Sequence, residues 1–78
     1  MQIQITWNGY GYRDGGFVAQ CDNVRADGRT AAGSVRSMLR YANRVLGESK
    51  TGHVNPAAVE QYGEVRKACL AWLKEQGA

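Results

Sequence analysis

A regular series of apolar residues in the middle of the chain constrains its fold more than any other feature. The series is spaced at i, i+3, i+4, i+7, i+10 and i+11, and its members are Val35, Met38, Leu39, Ala42, Val45 and Leu46. This spacing places every member on one face of an α-helix. The sequence therefore predicts an amphipathic helix that is capped by Thr30 or Ser34 and ends near Leu46, with Gly47 as a left-handed stop.

Three arginines follow the same helix on its opposite side. Arg36, Arg40 and Arg44 recur every four residues, and at about 100° per residue they fall within a narrow arc that points away from the apolar face. Such a stripe is either a solvated helix face or a surface matched to an anionic partner. Like charges four residues apart cost a few tenths of a kcal/mol each, and we expect no interleaved glutamates to offset this cost. The pattern therefore favours an anionic partner.

The net charge is concentrated around this helix. Residues 1–24 carry −1, residues 25–50 carry +4 and residues 51–78 carry 0, which sum to the net charge of +3. Arg25 and Arg29 precede the helix and would extend the stripe formed by Arg36, Arg40 and Arg44. Because a guanidinium offers a planar fork of donors, arginine suits phosphate and carboxylate groups better than lysine does.

Alternating residues before this helix predict two antiparallel strands. The inward-facing residues of the two strands are Ile3, Ile5 and Trp7, and Phe17, Ala19 and Cys21. Asp27-Gly28 is a further turn signal. It either closes a short third strand at residues 29–31 or forms a simple turn into the helix.

A second amphipathic helix begins at Asn55-Pro56, with Asn55 as its cap and Pro56 in its first turn. Val54 and Val59 can form a hydrophobic staple across that cap, and Gly63 would permit the close approach of another backbone. The buried face comprises Ala58, Tyr62, Val65, Cys69, Trp72 and Leu73. The sequence thus predicts a single α+β domain over residues 1–78. It has two layers, in which a β-hairpin with or without a short third strand is covered by two helices in the order ββ(β)αα.

Aromatic residues supply a second set of candidate contacts. Tyr10, Tyr12 and Arg13 lie in the glycine-rich segment between the two strands, and Tyr41 lies on the first helix. The segment is either a plain hairpin loop or a tip that stacks on bases or enters a protein groove.

Catalytic and metal-binding patterns are missing from the sequence. His53 has no partner at a metal-ligand or catalytic spacing. Cys21 and Cys69 fall on apolar faces, where we expect reduced core thiols with raised pKa values, although a disulfide between them stays open. We therefore expect no enzyme activity, cofactor or metal. No stretch has the pattern of a signal peptide or a membrane span, which favours the cytoplasm.

Residues 15–46 resemble part of the fold of HicB antitoxins, which is related to double-stranded-RNA-binding domains. The matching segments are Gly16-Phe17-Val18-Ala19 and Gly28-Arg29-Thr30. The chain departs from the pattern at Gly33-Ser34, where such antitoxins have Glu-Ala, and it lacks their proline-containing segment before the turn. The resemblance implies a binding fold.

In size and architecture the chain also resembles small phage-encoded inhibitors of the anti-CRISPR type, which commonly occlude a nucleic-acid-binding surface of an effector complex. The leading hypothesis is a monomeric or homodimeric binding protein that docks its arginine stripe on an acidic protein or nucleoprotein surface. The alternative is direct, largely sequence-nonspecific binding of nucleic acid by the same residues.

Overall fold

A computed structural model describes residues 2–8, 16–48, 50, 52 and 55–77. Three strands precede two helices. The elements are β1 (Gln4–Asn8), β2 (Gly16–Cys21), β3 (Val24–Gly28), α1 (Ala31–Glu48) and α2 (Pro56–Glu75). The prediction of an α+β fold in the order ββ(β)αα is confirmed, and the third strand is present.

The strands form an antiparallel sheet in the order β1-β2-β3. Ile5 lies opposite Ala19, and Ala19 lies opposite Ala26. Because alternate residues of a strand point to opposite faces, these three side chains share the face that packs on the helices. The other face carries mostly polar residues, which include Thr6, Gln20 and Arg25, and the buried Val18 at its centre.

The third strand lies earlier in the chain than predicted. The hairpin between β2 and β3 turns at Asp22 and Asn23, where Asp22 has a φ of 58°. Aspartate tolerates this left-handed conformation better than most residues because its short side chain can bond to nearby backbone. The placement of a third strand at residues 29–31, closed by Asp27-Gly28, is therefore wrong, since both residues belong to β3 itself.

Gly28 instead permits β3 and α1 to approach closely. A Cβ at this position would lie 2.2 Å from the backbone nitrogen of Ser34 and 2.5 Å from the carbonyl carbon of Gly33. Thr30 is the cap of α1, because its Oγ1 accepts a hydrogen bond from the Gly33 amide at 2.9 Å. Ser34 lies inside the helix, fully buried, and its hydroxyl donates to the carbonyl of Ala31 at 2.7 Å.

Gly47 in α1 and Gly63 in α2 do not have the roles that the sequence indicated. α1 runs through Gly47 to Glu48, so the prediction of a stop at Gly47 is wrong. One glycine costs a helix only about 1 kcal/mol, which the packing of the rest of α1 can offset. Apart from the neighbouring backbone of α2 itself, no atom lies within 4 Å of a Cβ built on Gly63, so the expected close approach of another backbone there is also wrong.

The start of α2 follows the prediction. The Asn55 side chain accepts a hydrogen bond from the Ala57 amide at 2.8 Å, and Pro56 is in the first turn. The predicted staple involves Val54, which lies outside the described residues.

The core lies between the sheet and the two helices. Its fully buried members from the helices are Val35, Met38, Ala42, Val65 and Cys69. α1 packs on β2 and β3. α2 packs on α1 and spans one end of the sheet, because its Gln61 donates hydrogen bonds to Asp22 and Asn23 and its Trp72 lies beside Ile3.

Candidate anion-binding surface

The outer face of α1 presents the three predicted arginines to solvent. Arg36, Arg40 and Arg44 are all exposed, while Met38 and Ala42 on the opposite side are fully buried. At 1.5 Å per residue, neighbouring arginines are attached about 6 Å apart along the helix. The stripe therefore extends over about 12 Å.

Two of these arginines contact polar groups of their own helix. Arg40 Nη2 donates a hydrogen bond to Ser37 Oγ at 3.2 Å. Arg44 Nε lies 3.4 Å from Glu48 Oε1, and both side chains are largely exposed. The expectation that no glutamate pairs with the stripe is thus wrong at its carboxyl end, where Glu48 follows Arg44 by one helical turn. An exposed pair of this kind contributes only about 0.2–1 kcal/mol, so it leaves the guanidinium readily available.

A fourth arginine reaches this surface from α2. Arg66 Nε donates to Asn43 Oδ1 at 3.0 Å. Asn43 lies seven residues after Arg36 and therefore almost in line with it along the helix. We call the four exposed arginines the basic surface: Arg36, Arg40, Arg44 and Arg66. The sequence offers no signal for the fourth member, since Arg66 falls in a segment with no net charge and its contact spans 23 residues.

Two further arginines proposed from sequence, Arg25 and Arg29, are not on the outer face of α1. Arg25 is opposite Gln20 in the β2–β3 pair, which places it on the sheet face that the helices leave open. It therefore does not extend the basic surface. Arg29 is exposed in the turn between β3 and α1, just ahead of the helix. Tyr10, Tyr12 and Arg13 lie outside the described residues.

Tyr41 flanks the basic surface and is held in place by α2. Its ring meets that of Tyr62 edge to face, with centroids 5.5 Å apart and planes inclined by 68°. Burial, and then the neighbouring Tyr41 hydroxyl, raise the pKa of Tyr62. About half of Tyr41 remains exposed, so it offers a fixed aromatic edge beside the arginines.

Both thiols are free and fully buried, as expected. Burial raises the pKa of Cys21, and it raises the pKa of Cys69 to about 11. A thiol with a raised pKa holds little nucleophilic thiolate near neutral pH. The prediction of inert core thiols is thereby confirmed as far as their burial and pKa are concerned.

The part of the chain that the structure describes contains neither a metal-binding cluster nor a membrane-spanning helix. No group of three or more histidine, cysteine or acidic residues there could hold a metal ion. Neither described helix has the length and apolar character needed to cross a membrane. His53 lies outside the described residues. No protein family model, curated protein or solved structure matches this chain.

Proposed function

We propose that this chain is a small, non-enzymatic binding protein that docks the basic surface on an anionic partner. The observation that carries the proposal is the convergence of Arg36, Arg40 and Arg44 with Arg66 of the second helix. Four guanidinium groups on one side of a 78-residue chain form a concentrated array of planar donors. Such donors recognise carboxylate and phosphate oxygens through paired hydrogen bonds.

The internal contacts of these arginines are of the kind that a partner can replace. Arg40 contacts a hydroxyl, Arg66 contacts an amide oxygen, and Arg44 contacts one exposed carboxylate. Each of these bonds is worth about 1 kcal/mol or less in water. A charged partner oxygen forms a stronger bond with a guanidinium than a neutral one does, so exchange of the neutral contacts on docking is favourable.

Tyr41 supports a protein or nucleoprotein partner. Tyrosine and arginine are the residues that most often dominate protein interfaces. Because Tyr62 already fixes the ring of Tyr41, little side-chain entropy is lost when a partner covers it. Acidic protein surfaces and nucleoprotein complexes both offer the required negative charge. Within this class, we propose an inhibitor of the anti-CRISPR type that occludes an effector complex, on the basis of similar size and architecture alone.

The decisive experiment compares two variants that lose the same charge at different places. The test variant replaces Arg36, Arg40 and Arg44 with glutamine. The control variant replaces Arg25, Lys67 and Lys74 with glutamine, because all three are exposed and none is one of the four arginines of the basic surface. Each tagged protein is used to isolate partners from nuclease-treated lysate of its native host. We expect a stoichiometric partner with the wild type and the control, and none with the test variant.

The experiment answers two separate questions: whether the arginines form the docking site, and whether the partner is a protein or a nucleic acid. Equal recovery of the partner by the test variant would show that the arginines are not the docking site. If the same proteins retard duplex DNA or RNA at about 50 mM salt, and retardation disappears in the test variant only, direct nucleic-acid binding replaces the protein-docking proposal. In that case three or four phosphate contacts would make log K fall with log salt at a slope of about −3.

A further inference from the structure

Within the described part of the chain, the outer edge of β1 is less protected than the opposite edge of the sheet. Among the described residues, β1 pairs with β2 alone, and residues 2–8 contain no charged side chain. β3, at the opposite edge, carries Arg25 and Asp27 and is packed against α1 at Gly28. Charged residues and covering elements are the usual protection of edge strands against pairing with another chain. β1 has no charged residue of this kind.

The same strand presents a large, exposed aromatic side chain. Trp7 lies near the end of β1 and is 65% exposed. Because side chains alternate along a strand, Trp7 points to the same face as Ile3 and Ile5, which pack against the core. The indole therefore stands above an edge strand with most of its surface uncovered, and a strand that paired on this edge would place its own side chains directly beside it on the same face.

A pocket lies at the other end of β1, on this same face. Its volume is about 240 Å³, and its apolar lining comes from Ile3, Ala68, Ala71 and Trp72. Gln2 and Glu75 line the pocket as well, so its walls are partly polar. Trp7 is four residues from Ile3, which corresponds to about 13 Å along the strand. One strand edge therefore carries both a projecting side chain and a pocket that could receive it.

We propose that two copies of this chain associate through antiparallel pairing of their β1 strands, with the two-fold axis at Ile5. This register places Trp7 of each copy opposite Ile3 of the other. Each indole then enters the pocket of the second copy. The register also pairs Gln4 with Thr6 on the open face, and it joins the two sheets into one of six strands. A projection and its pocket on one self-complementary edge are what a symmetric interface requires.

The charge distribution permits this association and leaves the basic surface free. The net charge of +3 repels a second copy, but the paired strands themselves are neutral. α1 lies over β2 and β3, on the side of the sheet away from the shared edge. An interface made of two strand edges and two indoles is small, and specific interfaces generally bury at least ~1,000 Å². We therefore expect a dimer that dissociates at micromolar concentrations.

Sedimentation equilibrium of the full chain, from about 1 to about 500 µM, tests the proposal. The wild type should show a reversible monomer–dimer equilibrium. Trp7→Ala should weaken the dimer at least about tenfold, since central aromatic residues dominate such interfaces. Leu70→Ala is the matched control, because Leu70 is 43% exposed on the side of α2 away from the pocket, and it should leave the equilibrium unchanged.

A second variant tests the pocket without altering Trp7. Ala71→Arg places a long side chain in the pocket and should weaken the dimer to a similar extent. The double variant should be no weaker than either single variant, because both remove the same contact. A wild type that stays monomeric at every concentration overturns the proposal. A dimer that neither Trp7→Ala nor Ala71→Arg weakens overturns it as well. Far-UV circular dichroism of each variant confirms that the fold is intact.

Discussion

Gly28 is the position at which a single methyl group should do the most damage to this fold. A Cβ there would lie 2.2 Å from Ser34 N, 2.5 Å from Gly33 C and 2.7 Å from Ser34 Cα. All three are backbone atoms of α1, so no side-chain rotation can relieve the overlap. Gly28→Ala must therefore push the first turn of α1 away from β3, and with it the buried residues Ser34 and Val35.

The expected cost is a large part of the total stability. Overpacking a core commonly costs 1–3 kcal/mol, and because the overlap here is with rigid backbone we expect about 3 kcal/mol. A chain of this length has an unfolding free energy of about 4–12 kcal/mol. Since 1 kcal/mol shifts the melting temperature of such a domain by about 4–8 °C, the variant should melt at least about 12 °C below the wild type.

Urea unfolding followed by circular dichroism measures this effect, with Gly63→Ala as the matched control. No atom lies within 4 Å of a Cβ at Gly63, and its position inside α2 makes alanine more favourable by about 0.5–1 kcal/mol. The two glycine-to-alanine changes should thus have opposite signs. The reasoning fails if the unfolding free energy of Gly28→Ala differs from that of the wild type by less than about 0.5 kcal/mol. The contact between β3 and α1 would then be looser than the structure indicates.

Further predictions concern the helix cap, the buried thiols and Gly47. Asn55→Ala removes the acceptor for the Ala57 amide and should lower the unfolding free energy by about 1 kcal/mol. Asn55→Asp keeps an acceptor at this position and should retain most of the wild-type stability. Burial raises the pKa of Cys69 from 9.0 to about 11, so its contribution to stability is complete below pH 9 and is lost as the pH approaches 11. The loss of stability between these pH values should be smaller in Cys69→Ala, and an equal loss would contradict the assigned cause. Gly47→Ala, which meets no atom within 4 Å, should raise the urea midpoint slightly; a lower midpoint would show that Gly47 is needed where it lies.

Local patterns were sufficient to predict the helices. The apolar series of α1, the Asn55-Pro56 start of α2 and the buried face around Val65 and Cys69 all lie where their spacing indicated. Each depends on interactions within a few residues, such as one helix face or one cap, and these leave a direct record in sequence. The same locality explains why Arg36, Arg40 and Arg44 could be assigned to one exposed face.

The glycines and turns were harder to interpret because one residue type serves several purposes. Asp27-Gly28 has the composition of a hairpin turn, yet the actual turn is at Asp22-Asn23. What Gly28 provides is space for the backbone of Ser34 in α1, six residues further along the chain. Gly63 appeared to provide such space and does not. Only the packing of one element on another distinguishes a glycine needed for its flexibility from one needed for its small size.

The sequence by itself determined the first two strands, the two helices with their buried faces and the arginine stripe, because periodicity and charge are properties of neighbouring residues. It did not determine the position of β3 or the 65% exposure of Trp7. Only the tertiary structure showed that Arg66 contacts Asn43 and that Arg25 lies on the face of the sheet opposite the helices. It alone placed Trp7 and the pocket beside Ile3 on one open strand edge. The Arg66 contact and the pocket join residues that are distant in the chain, and they depend on how α2 packs against α1 and the sheet. The position of Arg25 depends on the register that the turn at Asp22-Asn23 sets between β2 and β3.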